Sequence, residues 1–118
     1  RVLLAGDSAH LNNPLGGMGM NGGLHDGVNA AEKLIQILNH GASEDLLDLY
    51  DRQRRPIAIE YVQAQSIRNK KNLEEKDPAV RKQRQDEIRA TLDDPQKSLE
   101  LMMQVSMLNS INKSNSIT

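Results

Sequence analysis

Arg1-Val2-Leu3-Leu4-Ala5-Gly6-Asp7-Ser8-Ala9-His10, with Pro14-Leu15-Gly16-Gly17-Met18-Gly19-Met20-Asn21-Gly22-Gly23 and the stretch Asp26 to Leu34 behind it, reads as strand, glycine-rich loop and helix. Val2, Leu3, Leu4 and Ala5 form a short continuous apolar run, the pattern of a strand buried on both faces, and it stops at Gly6-Asp7. Asp7 is thereby expected at the carboxyl end of a strand, where open α/β sheets bind their ligands. Pro14 stiffens the entry to the loop. Gly16, Gly17 and Gly19 remove the Cβ atoms that would hold a flat ligand away from the backbone. The helix is expected to begin near Met20-Asn21, so that its unpaired N–H groups and the positive end of its dipole point back at the loop and Asp7 and favour negative charge there. On the residues alone, Asp7 is either a ligand acceptor or a carboxylate capping a turn.

The spaced set Gly6-Asp7-Ser8-Ala9-His10, Pro14, Gly16-Gly17-x-Gly19-Met20-Asn21-x-Gly23, Asp26, Asn29 and Lys33-Leu34 resembles the carboxyl-terminal FAD motif of the flavin-dependent aromatic hydroxylases, the single-component group A monooxygenases. Gly27, Ala30 and Glu32 depart from the usual pattern at positions that concern helix packing. The resemblance implies a fragment that is mainly α, with one strand, a glycine-rich loop and about four helices, derived from an α/β, Rossmann-like FAD-binding fold. It implies a flavin-binding motif in residues 1–41, a helical carboxyl-terminal region in 42–118, and amino-terminal Rossmann and substrate domains outside this chain. In the intact enzyme the implied cofactor is FAD, reduced by NADH or NADPH; O2 is captured as a flavin C4a-hydroperoxide and one oxygen passes to an aromatic substrate. The cofactor-binding set implied is Gly6, Asp7, Pro14, Gly16, Gly17, Gly19, Met20 and Asn21. Asp7 would accept hydrogen bonds from the ribityl hydroxyls. The backbone N–H groups of Met20 and Asn21 would face the N1 and O2 edge of the isoalloxazine, and Pro14 with Gly16-Gly17 would lie near the ring face where oxygen reacts. No residue of this chain is assigned to proton transfer or bond breaking. Epoxidases, halogenases and reductases carry related motifs, and a non-catalytic helical interaction module or remnant is the rival reading.

Composition narrows the classes further. In 118 residues the only aromatic side chains are Tyr50 and Tyr61, so a self-sufficient core is not expected. Residues 1–50 hold two basic and six acidic side chains, and residues 51–118 hold thirteen and ten. The basic excess is spread along helices without stacking aromatics, which argues against nucleic-acid binding. No run approaches the roughly 20 apolar residues of a membrane span, and the lack of cysteine suits a cytoplasmic protein. His10, His25 and His40 match no ligand spacing, so no metal site is expected.

Four helices follow from periodicity and caps. The first should run from about Met20 to Asn39, burying Leu24, Val28, Ala31, Leu34, Ile35 and Leu38 on one face and stopping at Gly41. Gly22, Gly23 and Gly27 weaken a helix by up to about 1 kcal/mol each relative to Ala, so close approach of a ligand or another element is the expected reason for them. Asp26 and Lys33 are expected in surface pairs. The second helix starts from Ser43, reaches about Leu73 with Leu46, Tyr50, Ile57, Tyr61 and Ala64 as its stripe, and is broken or kinked by Pro56, with Arg54 turned away from the core. Asp77-Pro78 and Asp94-Pro95 open two more, a solvated helix to about Leu92 and an apolar one to about Asn112. The last is apolar on nearly every side and is expected to be covered by the absent domains or by another subunit, with a homo-oligomer formed through it. From Lys113 the chain should fray.

Overall fold

The computed structural model describes residues 2–118; Arg1, the first residue of the expected strand segment, lies outside them. The helices are α1 (Met18–His40), α2 (Asp45–Ile57), a π-helical turn over Ala58–Gln63, α3 (Ala64–Glu74), α4 (Pro78–Asp93), α5 (Pro95–Val105) and α6 (Leu108–Asn115). A 3-10 turn over Gly6–Ser8 precedes them.

The expected strand, glycine-rich loop and helix is therefore corrected: the described residues contain helices and no strand. Strand hydrogen bonds come from a neighbour, and Val2 to Ala5 have none to pair with. The backbone of Leu4 and Ala5 is instead bonded to side chains. Tyr50 Oη donates to the Leu4 carbonyl at 2.6 Å. The Ala5 N–H donates to Ser8 Oγ at 3.3 Å, and that hydroxyl donates to the Ala5 carbonyl at 2.8 Å. The glycine run is divided as well. Pro14 to Gly17 close a turn through the Gly17 N–H and the Pro14 carbonyl, at 3.2 Å. The helix then begins at Met18, two residues before the expected start, so Gly19, Gly22, Gly23 and Gly27 are helical residues.

Helix α1 is bounded by two left-handed residues, Gly17 at φ 67° and Gly41 at φ 65°. Its orientation reverses the expectation. Leu24, Val28 and Leu38 are 61, 60 and 77 % exposed, while Met18, Gly22, Asp26 and Lys33 are buried. The inward face is polar because α2 meets it with Gln53 and Arg54 as well as Tyr50 and Ile57. Arg54, expected outside, is 5 % exposed.

Pro56 does not break the second helix. The ladder passes from α2 into the π turn two residues later and continues as α3, and Tyr50, Ile57, Ala58 and Val62 stay buried along the stretch. A small apolar cluster of Met18, Val62 and Met107 joins α1, the π turn and the carboxyl-terminal helices. Met107 adopts φ 63° and is 2 % exposed, and it splits the expected 95–112 helix into α5 and α6. The tail does not fray at Lys113. Helix α6 continues to Asn115 with Ser110 and Ser114 buried, and Gln53 Nε2 donates to the Ile117 carbonyl at 2.7 Å.

Asp77 and Asp94 cap as the sequence requires. Asp77 accepts from the Ala79 N–H at 2.8 Å, and Asp94 accepts from Gln96 and Lys97 at 3.0 and 3.3 Å. Helix α4 buries no residue. Among the described residues no helix is long and apolar enough to cross a membrane.

Candidate functional site

Two short segments carry the residues singled out in the sequence, and the first turns of α1 bring them together. The Gly6–Ser8 turn is laid on the helix at Gly23, so closely that a Cβ on Gly23 would stand 3.1 Å from Gly6 Cα. A Cβ on Gly22 would meet His10 Cε1 at 3.5 Å. Close approach of another element thus accounts for Gly22 and Gly23; nothing lies within 4 Å of a Cβ at Gly27, and its glycine has no such explanation.

What fixes the Gly6–Ser8 turn is a buried carboxylate that sequence reasoning assigned to the surface. Asp26 is 2 % exposed. Its Oδ2 accepts from the Gly6 N–H at 3.0 Å and from His10 Nε2 at 2.6 Å, and its Oδ1 accepts from Arg54 Nε at 2.7 Å. Burial by itself pushes the Asp26 carboxyl up. The bonds from Gly6, Arg54 and His10 and the charge of Arg54 outweigh it and hold the carboxyl below its ordinary value. An ionised Asp26 only accepts, so the hydrogen in the shortest of these contacts belongs to His10 Nε2. His25, one residue before Asp26, has its pKa lowered by burial and then by the nearby Arg54 charge, with Asp26 opposing.

A second polar group continues along the same face. Lys33 Nζ donates to Gln53 Oε1 at 2.7 Å and to Asn29 Oδ1 at 2.8 Å, and Asn29 Nδ2 donates to Gln53 Oε1 at 3.0 Å. Burial lowers the Lys33 pKa, with Glu32 opposing and the Arg54 charge adding to it. The expected surface pairs of Asp26 and Lys33 are therefore corrected to buried networks joining α1 to α2.

The flavin residues expected from the sequence lie on the outer side of this arrangement. Asp7, Pro14, Gly16, Gly17, Met20 and Asn21 are exposed, and Gly6 and Gly19 are half-buried. Among the described residues no hydrogen-bond donor is aimed at the Asp7 carboxylate. Helix α1 opens on Gly17 without a side-chain cap. The N–H groups of Met18, Gly19 and Met20 have no partner within the helix, whereas the Asn21 N–H makes its first bond, to the carbonyl of the Gly17 cap. Met20 and Asn21 are thus third and fourth rather than first; Met20 remains among those donors and Asn21 does not. The space where a Cβ of Gly17 would stand is open to 4 Å.

This set fits a flavin: a free carboxylate for hydroxyl donors, a row of backbone donors at a positive helix end for an electron-rich ring edge, and bare backbone beside them for a flat ring. Among the described residues no cluster of His, Cys, Asp and Glu could hold a metal ion. A cleft of about 590 Å³ opens elsewhere, beside the His10, Asp26 and Arg54 cluster, and is lined also by Leu4, Tyr50 and Arg55. None of the expected flavin residues lines it.

Comparison with known proteins bears on the same residues. The family model described as FAD binding domain matches residues 1–65. The chain is 43 % identical over 81 residues to para-nitrophenol 4-monooxygenase of Pseudomonas sp. (strain WBC-3), covering 69 % of this chain and 20 % of that protein. It is 41 % identical over 78 residues to 6-hydroxy-3-succinoylpyridine 3-monooxygenase of Pseudomonas putida (strain DSM 28022 / S16), covering 66 % and 20 %. It is 40 % identical over 82 residues to tetracenomycin B2 monooxygenase-dioxygenase of Streptomyces olivaceus, covering 70 % and 15 %. The chain spans a fifth or less of the length of these curated relatives. No solved structure matches it. With more than half of its residues matched, the chain belongs to the FAD binding domain family, that of the FAD-dependent aromatic hydroxylases.

Proposed function

We propose that this chain is the carboxyl-terminal flavin-holding part of a cytoplasmic, FAD-dependent monooxygenase that hydroxylates an aromatic substrate with O2, using NADH or NADPH as electron donor. Residues 1–41 carry the cofactor contacts and residues 42–118 support them. The observation that carries the reading is the exposed carboxylate of Asp7, unpaired among the described residues, on a turn packed against the second turn of α1 at Gly23, behind the uncapped start of that helix. The matched FAD binding domain family and relatives named as monooxygenases support it.

When bound, FAD supplies the redox chemistry: it takes electrons from the nicotinamide and activates oxygen for insertion into the ring. The chain's own contribution is electrostatic and geometric. Asp7 accepts from the ribityl hydroxyls. The Met20 N–H, with the positive end of α1 at Met20-Asn21, stabilises negative charge at the ring edge that it faces. Pro14, Gly16, Gly17 and Gly19 keep side chains away from the ring, and Gly6 lets the Asp7 turn lie flat on the helix. In this reading α5 mediates self-association, since Leu99, Met102 and Val105 are more than half exposed.

The test is Asp7→Ala in the complete protein. Charge-assisted hydrogen bonds contribute roughly 1.5 to 3 kcal/mol each, and 1.4 kcal/mol is about tenfold in affinity. FAD is expected to bind on the order of 10- to 150-fold more weakly in a fluorescence titration of apoprotein, with Asp7→Asn between. Parent-like affinity for the Ala variant would leave Asp7 as a turn residue. NAD(P)H oxidation by the parent should accelerate when an aromatic substrate is added.

A further inference from the structure

The Asn13–Gly17 segment leads into the start of α1 without belonging to any helix, and among the described residues it is closed locally by the Gly17 to Pro14 bond at 3.2 Å together with the Leu15 N–H donating to Asn13 Oδ1 at 3.1 Å. Two such turns do not fix a segment in space. What ties it down comes from more than fifty positions away, on α3. Asn69 Nδ2 donates to the Leu15 carbonyl at 3.0 Å. Asn13 Nδ2 donates to the Ser66 carbonyl at 3.0 Å, and the Asn13 N–H donates to Ser66 Oγ at 3.4 Å. Gln65 Nε2 donates to Asn69 Oδ1 at 2.8 Å, which orients the amide so that its NH2 group points at the turn. The fit is close: a Cβ on Gly16 would stand 2.9 Å from Asn69 Nδ2.

Ser66 and Asn69 are three residues apart on one helix face, both half-buried, and Val62 on the same face is 1 % exposed in the core. Their direction depends on the π turn over Ala58–Gln63. A π turn closes hydrogen bonds over five residues where an α turn closes them over four, and each residue advances a helix by about 100°. Without the extra residue, Ser66 and Asn69 would be rotated by roughly that angle, away from the turn they hold.

We propose that Ser66 and Asn69 are positioning residues for the flavin site, holding the Asn13–Gly17 turn so that bare backbone and the first N–H groups of α1 meet the ring together. This inference rests on the FAD reading above, and it concerns residues beyond the matched segment 1–65. Neither side chain is required to touch the cofactor; each acts through the backbone it holds.

The experiment uses the complete protein with Asn69→Asp, Asn69→Ala and Ser66→Ala, and Asp7→Ala as reference. Asn69→Asp is isosteric and keeps the acceptor for Gln65 while removing the donor to Leu15, so it separates the hydrogen bond from packing. Loss of one neutral bond corresponds to roughly 2- to 12-fold in affinity. FAD should bind that much more weakly to each α3 variant, the flavin-region circular dichroism of the loaded protein should change, and amides of Leu15 to Gly17 should exchange faster in the apoprotein, with the thermal midpoint within a few degrees of the parent. If Asp7→Ala weakens FAD while Asn69→Asp and Ser66→Ala bind and exchange like the parent, the proposal is overturned and the FAD reading stands. If the parent itself binds no FAD, that reading fails and takes the proposal with it.

Discussion

Asp26 is the residue on which the amino-terminal segment depends, because it is the shared acceptor for a backbone N–H, an imidazole and a guanidinium. Removing one member of a buried charged set leaves the others uncompensated, at a cost of about 3 to 5 kcal/mol. Asp26→Asn in the complete protein is expected to lower the unfolding free energy obtained from urea denaturation by that amount, and an unchanged value would mean that Arg54 finds another partner. The pH dependence has a definite sign. The Asp26 pKa in the folded state lies below its unfolded value of about 3.9. Its stabilisation is thus fully present above that value and is lost as pH falls through the folded pKa. The stability gap between parent and Asp26→Asn should narrow in acid, measured as urea midpoints from about pH 6 downward. In the sequence Asp26 is legible only as a motif position. The polar spacing Gly22, Asp26, Asn29, Lys33 was a signal that this face is inward, but the apolar stripe opposite it looked stronger.

At the level of elements, local chemistry set the boundaries well and faces poorly. Asp77-Pro78, Asp94-Pro95 and Gly41 mark helix ends from the sequence because capping bonds lie within a few residues of each other. The split at Met107 was not legible, since a methionine at φ 63° is held there by the core cluster with Met18 and Val62 and by no local preference. The glycines of α1 offer a paired test. Gly27→Ala meets nothing within 4 Å and should stabilise the protein by roughly 0.5 to 1 kcal/mol through helix propensity. Gly23→Ala gains the same propensity but presses a methyl to 3.1 Å from Gly6 Cα. Overpacking of this kind costs typically 1 to 3 kcal/mol, so its midpoint should fall below that of Gly27→Ala. Equal midpoints would show that the Gly6–Ser8 turn moves aside freely.

Over the whole molecule the exposed area is the main quantity. The accessible surface is 8233 Å², against about 6,400 Å² for a compact protein of this mass. The radius of gyration is 17.5 Å with extents of 59 × 29 × 17 Å, where a compact chain of this length would have roughly 13 to 14 Å. Large apolar side chains stand exposed on the outer face of α1, among them Leu24, Val28 and Leu38, and along α5 at Leu99, Met102 and Val105. The 118-residue chain is therefore expected to self-associate, and Met102→Lys with Val105→Lys, at positions 60 and 55 % exposed, should raise its monomer fraction in sedimentation velocity. A parent that sediments as a monomer at the same concentration would remove the association through α5.

The sequence by itself determined the flavin motif and family, the long helices, and the caps at Asp77, Asp94 and Gly41. Each of these is a matter of residue identity at fixed spacing or of hydrogen bonds closed within one or two turns. Tertiary structure alone decided that Val2 to Ala5 form no strand, that Asp26, Lys33 and Arg54 are inside while Leu24, Val28 and Leu38 are outside, and that Ser66 and Asn69 hold the Asn13–Gly17 turn. A strand borrows its hydrogen bonds from a neighbour, and an amphipathic helix buries whichever face its partner completes. Such outcomes depend on contacts between residues twenty to more than fifty positions apart, and local pattern does not encode them.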